Sequence, residues 1–162
     1  KGQLLLKLWN DDQKAQQALA EAQRAMAAQR VKAVCTTAAS ALREAGAKVF
    51  GIEVDPARAE ESRAKGHSVQ RANFLETVPT GDYDRVVMNP PFYGTHYARH
   101  VEHALRYLHP NGVLTAILPA TARYDHGLLS GSWEDLPVGA FSASGTNVNT
   151  CILTLRRPPD LS

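Results

Sequence analysis

The sequence predicts a doubly wound α/β domain with a mostly parallel sheet and an antiparallel last strand, preceded by an N-terminal helix. Three observations predict it. From Val31 onward, short apolar segments alternate with helical ones, the pattern of a parallel sheet covered on both faces. Near the end, Val138 to Phe141 and Thr150 to Leu155 lie close together with no helix of usual length between them, so they are expected to pair antiparallel. The chain has 162 residues, enough for one such core.

The elements follow in order. Leu4-Leu5-Leu6-Lys7-Leu8-Trp9 is a compact apolar patch. Asn10-Asp11-Asp12 then resembles a helix start, with a capping side chain and acids at the positive end of the dipole. Ala15, Ala18, Leu19, Ala22, Ala25 and Met26 continue at helical spacing, which suits a packing helix. Residues 1–30 are therefore expected to form an N-terminal helical segment, 31–158 the domain and 159–162 a tail. Val31-Lys32-Ala33-Val34 reads as a weak first strand, and Thr36 to Ala45 as a helix stopped by Gly46. Lys48 to Glu53 is the second strand. Asp55 caps a helix over Pro56 to Ala64, with Pro at its first position. His67 to Ala72 and Asp84 to Met88 are the next strands. His96 to Leu108 is a helix stopped by His109-Pro110-Asn111-Gly112, and Val113 to Leu118 is the fifth strand.

Composition narrows the class. The 18 basic and 16 acidic residues leave a net charge of +2, too small to demand a nucleic-acid partner, although a local basic stripe fits within it. Cys35 and Cys151 form no CxxC or Cys/His pattern, which suits a reduced, cytoplasmic setting. No apolar run approaches membrane-spanning length, so no membrane partner is expected. Residue 1 is Lys rather than Met, as in a piece of a longer chain.

Ligands in such a sheet bind beyond the carboxyl ends of the strands. Two strand ends are chemically pointed. Gly51-Ile52-Glu53-Val54-Asp55 offers a carboxylate able to accept hydrogen bonds from both hydroxyls of a ribose. Asp55 is read as the cap and Glu53 as the ligand. Val86-Val87-Met88-Asn89-Pro90-Pro91-Phe92 ends in two prolines of fixed φ, without donors, which stiffen the turn. Asn89 is pushed toward extended geometry by the proline after it. The amide oxygen of Asn89 and the carbonyl of Pro90 can accept both hydrogens of an exocyclic amine, while Phe92 stacks on its ring. Such acceptors leave the nitrogen lone pair free to attack a methyl sulfonium. That attack needs positioning and charge complementarity more than a strong base. Tyr93 and His96 are placed to line the substrate mouth.

With these residues in view, positions 48 to 155 resemble the amino-methyltransferase branch of the class I S-adenosylmethionine-dependent family, which includes DNA adenine methyltransferases. The resemblance implies a Rossmann-like sheet of seven strands with the last antiparallel. It implies S-adenosylmethionine as cofactor, and Asn89, Pro90, Pro91 and Phe92 as the catalytic tetrad. The cofactor-binding set would be Glu53, Val54, Asn73, Phe74 and Asn89, with Asn73-Phe74 touching the cofactor adenine. The family usually has Asp where Asn73 stands. Phe141 to Thr150, ahead of the last strand, is similar to phage- and plasmid-type members. The implied reaction is methylation of adenine N6 in DNA, with the base flipped out of the duplex. Guanine N2 in ribosomal RNA and protein glutamine are the alternatives. Tyr93 departs from the guanine-directed pattern and Phe92 from the glutamine-directed one.

One departure is local. The family's first strand runs into an acid and a Gly-rich loop, yet Val31 to Thr37 reads Val-Lys-Ala-Val-Cys-Thr-Thr. Either the loop is missing from the chain as given, or it is deleted, or Cys35-Thr36-Thr37 replaces it with hydroxyls and helix N-terminal amides. Deletion would leave a non-catalytic binding module. No recognition segment is evident, so site choice falls to further chain, a partner subunit or loose specificity. His96, His100 and His103 share helical spacing, but no convincing set of ligands surrounds them and no metal is expected. Arg99, Arg106 and Arg123 are candidates for phosphate contacts.

Overall fold

The computed structural model describes residues 3–7 (backbone only), 39–92, 94, 96–124, 131–140 and 148–159. The strands are β1 Gln3–Lys7, β2 Lys48–Glu53, β3 Ser68–Arg71, β4 Tyr83–Met88, β5 Leu108–Pro119, β6 Ser132–Asp135 and β7 Thr150–Arg156. The helices are α1, described over residues 39–44, α2 Pro56–Ala64 and α3 His96–Leu105. The seven strands form one sheet in the order β3-β2-β1-β4-β5-β7-β6. The first five in that order are parallel, and β7 runs antiparallel to both neighbours. This is the doubly wound sheet with an antiparallel last strand that the alternation predicts.

The chain enters the sheet earlier than expected. The central position belongs to Gln3–Lys7, paired in parallel with β2 on one side and β4 on the other. Its chain therefore belongs to the sheet, although it lies within the segment expected to stand apart as helical. Residues 31–34 and the rest of the expected N-terminal helix lie outside the described residues, as do Cys35 to Thr37.

The antiparallel pair is also corrected in one partner. Val138 belongs to a turn, and β7 takes Ser132–Asp135 instead, with Trp133 opposite Leu153. Gly131 explains why the approach is tight. A Cβ there would stand 2.6 Å from both the Thr154 carbonyl oxygen and Leu155 Cδ2, closer than packed atoms tolerate. The turn expected at His109-Pro110-Asn111-Gly112 sits inside β5 as an irregularity. Tyr83 pairs with Leu108 but Arg85 with Val113, and Asn111 takes a φ of 68°. His109 Nε2 lies 2.6 Å from Asp84 Oδ1 across this bulge.

Packing follows the strand pattern. Leu114, Ala116 and Leu118 of β5 alternate into the buried layer, and Val86, Met88, Leu153 and Leu155 join them. α3 covers this face with Tyr97, Val101 and Ala104. α2 starts where sequence places it. Asp55 Oδ1 accepts from the Arg58 N–H at 2.8 Å, with Pro56 at the first position. It stops at Lys65 and Gly66, whose φ of +81° favours glycine. Arg63 then ties the helix to β3, donating to the Val69 carbonyl at 3.0 and 2.9 Å.

Candidate active site at the carboxyl edge of the sheet

The strand order reverses direction at β1. The chain proceeds outward through β2 and β3 on one side, and through β4 and β5 on the other. Such a switch point leaves a crevice at the carboxyl ends of the strands. Register fixes what borders it. Lys7 pairs with Ile52 on one side and Met88 on the other. Glu53 and Asn89 each follow by one residue, so they stand at one level, two strands apart. At the usual interstrand spacing this is ~10 Å.

Glu53 is a buried carboxylate, 1% exposed. Its Oε1 accepts from the Asp55 N–H at 2.9 Å and faces Arg58 Nη2 at 3.5 Å. Its Oε2 lies 3.4 Å from Arg58 Nε, yet among the described residues no hydrogen bond reaches it. Burial pushes the carboxyl pKa up to about 7, against the Asp55 backbone N–H and the Arg58 charge, which pull it down. Val54 follows at the rim, half-buried.

Asn89 is 7% exposed. Its Oδ1 is buried and meets no hydrogen-bond donor among the described residues. An acceptor left so costs about 1–3 kcal/mol, and such a cost points to a functional constraint. Pro90 and Pro91 are fully buried behind it, which locks the turn that aims the amide. Phe92 is half-buried, so part of its ring remains available. Tyr93 lies outside the described residues. His96 opens α3 half-buried, and its carbonyl accepts from His100 Nδ1 at 2.8 Å.

The pair expected to contact the cofactor adenine makes its contacts within the fold. Phe74 is 2% exposed and belongs to the core. Its ring stacks on Tyr107 at 5.6 Å and meets the edge of His103 at 4.9 Å. His100 lies nearly parallel to it at 6.1 Å. A ring enclosed this way stabilises the seat of α3 rather than presenting a face to a ligand. Asn73 caps the short turn Phe74–Glu76: Oδ1 accepts from the Leu75 N–H at 3.2 Å, and Nδ2 donates to Glu76 at 2.9 Å. Its side chain thus serves the local fold.

The three arginines suggested for phosphate contacts diverge. Arg99 and Arg106 are exposed on and just after α3, while Arg123 is ion-paired with Asp135. Among the described residues no group of three or more His, Cys, Asp or Glu is placed to hold a metal. Nor is any described helix long and apolar enough to cross a membrane. A cavity of about 410 Å³ lined by Arg43, Lys48, Phe50, His67 and Tyr83 opens at the amino ends of β2, β3 and β4, away from Glu53 and Asn89. Sequence reading missed Arg58. The signal was present: a cap at Asp55 places residue 58 in the first helical turn, over the end of the strand that carries Glu53.

Comparison with known proteins agrees with this fold. The family model of the methyltransferase small domain matches residues 49–136, more than half of the chain and both flanks of the crevice. Among solved structures, a protein from Listeria monocytogenes assigned to the class I S-adenosylmethionine-dependent methyltransferases superposes with a TM-score of 0.65. Its identity is 14%, over 100% of this chain and 56% of that one. TrmN from Thermus thermophilus gives 0.59 at 20% identity, over 96% of this chain and 44% of that one. An RNA methyltransferase from Salinibacter ruber, in complex with S-adenosyl-L-homocysteine, gives 0.55 at 11%, over 99% and 84%. At these identities the likeness is one of fold. The chain spans about half the length of the first two. No curated protein matches the sequence.

Proposed function

The chain belongs to the methyltransferase small domain family, and from that premise we propose that it methylates an exocyclic amine, adenine N6 in DNA, with S-adenosylmethionine as cofactor. One observation carries the reading. Two buried oxygens, Glu53 Oε2 and Asn89 Oδ1, lack hydrogen-bond donors among the described residues, and register sets them level on either side of the switch point. Both await a donor. The ~10 Å between their strands suits an extended ligand with hydroxyls at one end and a reacting group at the other. These residues fit the cofactor.

When bound, S-adenosylmethionine supplies an electrophilic methyl group. Glu53 is the residue to hold the ribose hydroxyls, through Oε2, with Val54 beside it at the rim. Asn89 is the residue to accept an N–H of the substrate amine. That hydrogen bond turns the amine so that its lone pair points out of the ring plane, and it favours the partial positive charge that develops on nitrogen. Pro90 and Pro91 add no donors and little freedom, so the amide is aimed before substrate arrives. Phe92 offers ring surface for stacking, which favours a planar aromatic amine over a flexible side-chain amide. An amide buried as deeply as Asn89 is out of reach of a base stacked in a duplex, so the base must swing out of the helix.

The test offers the purified protein a methyl-labelled cofactor together with unmethylated duplex DNA, ribosomal RNA or protein, and identifies the labelled product by mass spectrometry. The expected product is N6-methyladenine in DNA. N2-methylguanine in RNA or N5-methylglutamine in protein would replace the substrate assignment. Absence of S-adenosylhomocysteine binding by calorimetry would overturn the enzymatic reading and leave a binding module.

A further inference from the structure

The contact between α2 and the end of β2 has a feature that binding alone does not require. The Arg58 guanidinium presents Nε and Nη2 side-on to the two carboxylate oxygens of Glu53, at 3.4 and 3.5 Å. A closed Arg–carboxylate fork has N···O distances of about 2.7–2.9 Å. The fork here is open by roughly half an ångström. At this distance the charge still acts on the carboxylate, because attraction falls only inversely with separation. The lone pairs of Oε2, by contrast, are not consumed by a short hydrogen bond.

We propose that Arg58 is a positioning residue that favours the ionised form of Glu53 and orients it while leaving Oε2 available to ligand hydroxyls. The inference rests on the reading of Glu53 as the ribose-binding residue. Its physical basis is a competition. Burial of Glu53 at 1% exposure favours the neutral acid, which has one fewer acceptor position and a donor of its own. A carboxylic acid O–H pointed at a hydroxyl serves a diol poorly. Among the described residues, the charged groups on the elements packed against Glu53 are few. Asp55 at the helix cap opposes ionisation and Arg58 favours it. Arg71 on β3 is the strand-register partner of Glu53, and Lys7 stands at the end of β1 opposite Ile52. Among the described side chains, Arg58 is the cation whose nitrogens reach both carboxylate oxygens. Removing it shifts the balance toward the neutral acid, so ligand affinity acquires a steeper dependence on pH.

The experiment compares wild type, Arg58→Gln and Arg58→Lys by calorimetry with S-adenosylhomocysteine at pH 7 and pH 9. An adjacent opposite charge moves a carboxylate by about one to three pH units, and Arg58 is partly solvated, so the lower figure applies. Arg58→Gln is then expected to bind about fivefold more weakly at pH 7 and nearly as well as wild type at pH 9. Arg58→Lys, which keeps the charge, is expected to stay within about twofold at both. Equal weakening at both pH values would reduce Arg58 to a structural contact and overturn the inference, as would no weakening. A second readout needs no cofactor. The Glu53 carboxyl carbon, assigned by its loss in Glu53→Gln, is titrated by NMR in the unliganded protein. Its midpoint is expected to rise by about one pH unit in Arg58→Gln; an unmoved midpoint overturns the proposal. Failure of the wild type to bind S-adenosylhomocysteine would instead count against the functional reading, and the carboxyl titration would still decide the role of Arg58.

Discussion

Replacing Glu53 by Gln tests the electrostatics of the crevice without any ligand. The carboxyl is buried and its pKa is pushed from 4.5 up to about 7, chiefly by desolvation. Between those values the folded protein keeps a proton that the unfolded chain has released. The folded state binds more protons, so stability must fall as pH rises through this window. At about 1.4 kcal/mol per pH unit, the span amounts to roughly 3 kcal/mol, a large share of the stability of a small domain. Gln is close in shape and does not titrate. The difference between wild type and Glu53→Gln isolates the one carboxyl, since every other group titrates in both proteins. Urea unfolding at half-unit steps from pH 4.5 to 8 supplies the measurement. The variant is expected to gain roughly 3 kcal/mol relative to wild type across this range, with the change levelling off above pH 7. Parallel profiles would refute the argument, because they would mean that Glu53 is ionised at little cost and well solvated.

Three further expectations concern other residues. Asn89→Ala should lower turnover at least ~100-fold while leaving the unfolding midpoint unchanged or raised. It removes a buried oxygen that has no donor among the described residues, and a large loss of stability in urea would contradict that. His109 should titrate above its ordinary 6.5, held up first by the Pro110 carbonyl and then by Asp84. Its contribution to stability is then present in acid and lost as pH rises through the raised pKa. NMR of Asp84→Asn should show a lower midpoint, and an unchanged one would dismiss the pair. Gly131→Ala should destabilise by about 1–3 kcal/mol in urea, since its Cβ meets backbone and Leu155 at 2.6 Å. A neutral result would mean that β6 shifts freely along β7.

Much of this could be read from local chemistry. The strand Lys48–Glu53 and the helix after it were legible because Asp55-Pro56 is a strong start signal whose cap forms within three residues. The end of the strand at Met88 was legible because Pro90 and Pro91 have no N–H to continue the ladder. The failures share a cause, which is that long-range pairing leaves little local trace. Leu4-Leu5-Leu6 is rich in a good helix former and lacks β-branched residues. Val31 to Val34 therefore looked the better strand, although it is Gln3–Lys7 that lies between β2 and β4. Ser132-Trp133-Glu134-Asp135 has low strand propensity and exists as a strand through pairing with β7. Phe74 shows the limit for sites. An aromatic after a strand reads the same whether it faces ligand or core. The clue lay elsewhere, in His100, His103 and Tyr107, spaced to place three rings on one side of α3 and its exit, where they surround Phe74.

Glu53 and Asn89 are proposed to border one crevice and to serve opposite ends of one ligand. A crystal structure with S-adenosylhomocysteine tests it most directly. The ribose hydroxyls are expected within hydrogen-bond reach of Glu53 Oε2, with the sulfur end directed toward the Asn89 amide. A ligand seated at the amino edge of the sheet, or one that leaves both oxygens without a donor, would contradict it.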